Sequence, residues 1–207
     1  METPEEEYPY HITAISELAK NYSLENFRYE IGVCRDVVAK LIAVDNRSDQ
    51  QKARYRILRI LDLQLSRAVR WVEEEADLMA LVIRNLIELK FWAKFVSESE
   101  AKATQFLNEA DIDMKELYQR LEKMMPAEAE KYTLPQTSGK RVRVEPTGDH
   151  EELTWKTACK LIHPSSYVIN HFEETIKNTT NNQFFAIQIL EYGWGIVTIF
   201  HTINWTT

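Results

Sequence analysis

Between Ser48 and Met125 the chain contains neither glycine nor proline. Those two residues end or kink most helices, and a run this long without them leaves little room for turns. Hydrophobic residues recur there with a period near 3.6, so the run predicts successive long helices rather than strands. With only five glycines and six prolines in 207 residues, the expectation extends to the whole chain. We expect an all-α fold: a helical bundle of about 7–8 helices, with one long loop near 126–148 that holds Pro126, Pro135, Gly139, Pro146 and Gly148. The loop's "RVRV" is the one candidate for a short strand. No repeat of 20 to 50 residues is visible, which argues against a solenoid.

The predicted helices cover about 10–20, Ser23 (as N-cap) to Val44, Gln50 to Glu74, Asp77 to Val96, a segment capped by "SESE", and "DIDMKELYQRLEKMM" with Asp111 or Asp113 as its cap. Helices resume at about 150–162, 164–177 and 183–204. Residues 1–47 form N-terminal helices and 48–207 the main bundle, expected as one continuous globular unit. The last run, "FFAIQILEYGWGIVTIFHTINW", is long enough to span a membrane. Its Gln188, Glu191 and His201, and the lack of a basic flank, favour a buried central helix instead, hence no membrane. The acidic start "METPEEEYPY" does not resemble a signal peptide. Cys34 and Cys159 make no disulfide framework. The expected setting is the reduced cytoplasm.

The formal net charge is −7, which disfavours wholesale binding to nucleic acid or acidic membranes. The charge is uneven, however. On a helical wheel Lys52, Arg56, Arg59, Arg67 and Arg70 fall within about 80°, opposite Leu58, Leu61, Leu65, Val69 and Val72. Such a stripe is either a solvated face paired with the acidic stretch 98–130 or an RNA track. Lys140, Arg141 and Arg143 in the loop extend the same possibility for RNA.

No glycine-rich phosphate loop, nucleophile elbow, zincin helix or zinc-spaced Cys/His set occurs. No metal and no cofactor is expected. Two stretches carry chemistry. In "RNLIEL", Arg84 and Glu88 share a helix face with Leu81, Phe91, Trp92 and Phe95, so the charges need partners. They either fix the packing as an internal ion pair or belong to a site. In "ACKLIHPSSYVI", Pro164 drives residue 163 out of the α region, so a helix ends or kinks at His163. A new helix beginning at Pro164 would expose the amides near Ser165 and Ser166 beside Lys160, an arrangement suited to an anion. The competing reading is a kinked helix with a core histidine.

Together, Arg84-x-x-x-Glu88 and the later His163-Pro164-Ser165 turn resemble a bacterial all-helical family that looks like a branch of the HEPN-like superfamily. The resemblance covers roughly residues 50–180. It implies a helical bundle, often a homodimer, and a metal-independent ribonuclease or effector of a toxin–antitoxin or antiphage system, with an antitoxin or defence protein as partner. His163 would then be the general base. Arg84 or Lys160 would stabilise the phosphorane, Glu88 would orient, and Ser165 and Ser166 would bind phosphate. Other members are non-catalytic modules that bind a protein or a nucleotide. The superfamily's motif of an arginine, four to six residues, then a histidine is missing at His163; only Lys156 and Lys160 are basic there.

Overall fold

The computed structural model describes residues 22–43, 48–74, 76–129, 141–163 and 179–202. All of their regular structure is helical: α1 Leu24–Ile42, α2 Asp49–Trp71, α3 Ala76–Glu98, α4 Glu100–Met124, the single turn α5 Pro126–Ala129, α6 Asp149–Ile162 and α7 Thr179–Thr202. The protein is all-α. The helices expected at 10–20 and 164–177 lie outside the described residues.

Local signals set most boundaries. Ser23 caps α1, its Oγ accepting from the amides of Glu25 and Asn26. Ser48 and Gln51 close a reciprocal capping box at the start of α2. That start is also tied to α4. The Glu100 carboxylate accepts from the Asp49 amide at 2.6 Å, and the Thr104 hydroxyl donates to Asp49 at 2.8 Å. A carboxylate there meets the free donors and positive end of α2. The Thr104 hydroxyl and the Lys52 ammonium hold the Asp49 carboxyl below its usual range.

Three expectations are corrected. Ser99 interrupts the chain for one residue only, and α4 then runs unbroken through Asp111 and Asp113, neither of which is a cap. Aspartate is a modest helix former, and with no glycine or proline nearby the helix absorbs both. Second, 126–148 does not begin as a loop. Pro126, whose missing N–H costs nothing at a first helical position, opens α5. Third, 141–144 forms no strand. Glu109 of α4 accepts the Val142 amide at 2.8 Å in place of a neighbouring strand.

The core lies around α3 and α7. Met79, Ala80, Val82, Ile83, Leu86, Ile87, Ala93 and Val96 are buried on nearly every side of α3, which touches α2, α4, α6 and α7. From α1 come Phe27, Ile31, Cys34 and Val38, and from α2 Ile57, Leu58, Leu61 and Leu65. Burial pushes the Cys34 thiol up to about 12. Helix α7 adds Phe185, Ala186, Ile189, Tyr192, Ile196, Val197 and Phe200, packed against α1, α2 and α3. It is the one described helix whose length and composition would cross a membrane, and just over half of that stretch is buried inside the bundle. Gly193 is where it passes closest. A Cβ there would sit 3.3 Å from Leu65 and 3.7 Å from the Cys34 sulfur.

Candidate functional site

Helices α3 and α6 run antiparallel, and their polar residues collect in two clusters at opposite ends of α6. The closed cluster lies at its N-terminus. Gly148 takes φ +108°, a value that L side chains rarely adopt, and turns the chain into α6. This brings Glu151 back over Thr147. One Glu151 oxygen accepts from the Thr147 amide (2.9 Å) and hydroxyl (2.7 Å), and the other accepts from the Lys90 ammonium of α3. Lys94 reaches the same Thr147 hydroxyl at 3.0 Å. The Lys90 ammonium also lies 5.1 Å from the centre of the buried Tyr192 ring. Burial alone would raise the Glu151 carboxyl. The bonds from Lys90 and Thr147, with the Lys90 charge, outweigh that and hold it below its usual range. Sequence reasoning missed this group. The available signal was Lys90 and Lys94, one turn apart within the aromatic run "LKFWAKF".

The half-open cluster lies at the other end. Arg84 pairs with Glu88 one turn along α3 at 3.0 Å, and each side chain is about one-third exposed. The partner each charge needs is the other member of the pair. Cys159 of α6 sits against the pair. Burial raises its thiol, Arg84 pulls it down by charge and by a hydrogen bond, and Glu88 pushes it up. The Arg84 Nε is buried with no hydrogen bond.

His163 stands one turn beyond Cys159 as the C-cap of α6, in extended backbone (φ −94°, ψ 142°), so the helix does end where the following proline requires. Its amide donates to the Cys159 carbonyl at 3.2 Å. Its exposed ring has no hydrogen bond or ion pair among the described residues. It is therefore not a buried core histidine, and it is not bonded to Arg84 or Glu88. Lys160 is exposed and engaged. Ser165 and Ser166 lie outside the described residues, as does Lys140.

The basic residues divide. Arg141 is spent on Asp113 and Glu116 of α4, both at 2.8 Å. Arg143 lies 3.4 Å from Glu145. On α2, Lys52 bonds to Asp49 at 3.0 Å, and Arg67 lies over the Trp71 ring at 5.8 Å. Arg56, Arg59 and Arg70 are exposed and have no ion pair among the described residues. The acidic stretch 98–130 thus does not neutralise them. Its Asp113 and Glu116 take Arg141, and its Glu98 takes Lys102. Exposed Tyr55, Ile60 and Leu63 lie on the same helix beside the arginines.

Among the described residues no group of three or more His, Cys, Asp and Glu side chains is placed to hold a metal ion. Neither protein-family models nor curated proteins nor solved structures gave a match to the chain.

Proposed function

We propose that this bundle is an RNA-binding module that holds a single strand against the outer face of α2. The observation that carries the reading is the set Arg56, Arg59 and Arg70: exposed, on one helix face, and unpaired among the described residues. From 56 to 70 the helix rises about 21 Å. That is enough to follow a short run of consecutive phosphates along one strand. Tyr55 offers a ring for base stacking, and Ile60 and Leu63 offer apolar contact beside the cations. The net charge of −7 repels a polyanion from the rest of the surface and confines it to this face.

A second reading, ribonuclease activity of the HEPN-like kind, is favoured by the exposed His163 ring, unpaired among the described residues and close along α6 to the Arg84–Glu88–Cys159 group. In it the histidine takes the proton of a ribose 2′-hydroxyl, which attacks the adjacent phosphorus and leaves a 2′,3′-cyclic phosphate and a 5′-hydroxyl. A cytoplasmic defence or toxin–antitoxin role, with an antitoxin-like partner, belongs to this second reading.

One experiment tests both. Fluorescence anisotropy with a labelled 12-nucleotide RNA should show binding that falls at least tenfold in the triple Arg56, Arg59, Arg70→Ala variant, as loss of several phosphate contacts requires. Wild-type protein that ignores RNA at low salt, or a triple variant that binds as wild type does, would refute the module. Cleavage of the same RNA in EDTA, lost in His163→Ala, would establish the second reading. Intact RNA after prolonged incubation would dismiss it.

A further inference from the structure

Helix α4 packs on the long helices at one end, and further along it is held by Arg141 and Val142. Its N-terminal half packs on α2 and α3, but its buried residues stop at Ala103 and Ile112. On the same face as Ala103, the residues Ala110, Met114, Leu117, Leu121 and Met124 recur at steps of four, three, four and three. At 100° per residue they fall within about 80° of arc, on the side facing away from Ile112. Met114 and Leu117 are more than half exposed, Met124 is 80% exposed, and Met125 beyond the helix end is also uncovered. Single exposed apolar side chains need no explanation, whereas a contiguous row at helix-packing spacing does. The 4–3 spacing is that of knobs entering the holes of a second helix, so the occupant is an α-helix.

The flanks identify that helix. Asp113 and Arg120 stand on one side of the row, Asp111 and Tyr118 on the other. In a parallel pair each flank meets the opposite flank five residues on, setting Asp113 against Tyr118 and Arg120 against Met125, with no charges matched. In an antiparallel pair like flanks meet, and Arg120 of each copy lies beside Asp113 of the other. Arg120 is exposed with no ion pair among the described residues. Asp113 accepts one bond, from Arg141, and a carboxylate has room for more. The surface is thus complementary to itself under a two-fold axis, the condition for a closed dimer.

We propose that the Met114–Met124 row of α4 joins two copies of this chain in an antiparallel helix pair, locked at its edges by Arg120 and Asp113. Sedimentation equilibrium on the full chain tests it. Wild type should have twice the chain mass at tens of micromolar. Leu117→Glu should be a monomer with an unchanged far-UV spectrum and melting temperature, since the replaced side chain is exposed; Met114→Lys gives the same reading from a second position. Arg120→Glu should weaken the dimer by at least about tenfold at low salt, by placing like charges together. A monomeric wild type would overturn the proposal. So would loss of folding in both Leu117→Glu and Met114→Lys, which would mean the chain covers the row itself. An Arg120→Glu dimer as tight as wild type would overturn the antiparallel arrangement.

Discussion

The two polar clusters along the α3–α6 seam use the same residue types to opposite effect. Lys90 and Glu151 come from different helices, are mostly buried, and spend their bonding capacity on each other, Thr147 and the Tyr192 ring. Arg84 and Glu88 share one helix, are a third exposed, and bond largely within that helix. The first pair can hold two helices together but offers a ligand nothing. The second contributes little to the packing and leaves polar atoms at the surface, next to a histidine with no partner among the described residues. Exposure and the sequence distance between partners, rather than charge itself, separate a clamp from a candidate site.

That contrast is sharpest in the effect of deleting each cluster. Glu151→Ala strands the Lys90 ammonium and should cost about 3 kcal/mol, the range for breaking a buried pair. Chemical denaturation would measure it, and a loss below about 1 kcal/mol would erase the distinction. The pH dependence has a definite sign. Because the folded Glu151 carboxyl is held below its ordinary value of 4.5, its contribution is fully present above that pH and disappears as pH falls through the folded value. Wild type should therefore lose stability as pH falls below about 4.5, more steeply than Glu151→Gln does. Parallel curves would place the acid-sensitive groups elsewhere.

Glu88→Ala should be milder, about 0.5 kcal/mol, because a one-third-exposed pair one turn apart on a helix contributes little and the outer guanidinium nitrogens reach water. A loss near that of Glu151→Ala in the same titration would make the second cluster a clamp as well. His163→Ala should change stability least, within about 0.5 kcal/mol, since its ring touches no described partner. A drop of several degrees in melting temperature would show that residue 163 is structural and remove the histidine from any chemistry.

The sequence carried the helices well because their signals are local. Ser23 and Ser48 are caps within a turn of the amides they bond, and the apolar period of α2 places Leu58, Leu61 and Leu65 inward, as found. The end of α6 at His163 followed from one proline. What the sequence concealed depends on distant neighbours. Nothing local distinguishes Asp113 as a cap from Asp113 as a partner for Arg141, 28 residues away. Lys90 and Glu151 are 61 apart, and only the antiparallel docking of α3 and α6 brings them together. The arginine stripe of α2 could be drawn on a wheel. That Lys52 and Arg67 are engaged while Arg56, Arg59 and Arg70 have no ion pair among the described residues requires knowing what stands opposite each.

The central claim is that those three arginines meet phosphates, and the salt dependence of RNA affinity tests it most directly. Each phosphate contact on a single strand contributes about 0.7 to the slope of log affinity against log salt concentration. Wild type should give a slope of about −2 or steeper between low and moderate salt, and removing Arg56, Arg59 and Arg70 together should bring it close to zero. An unchanged slope in the triple variant would show that RNA is held elsewhere, or not by its phosphates, and would contradict the account.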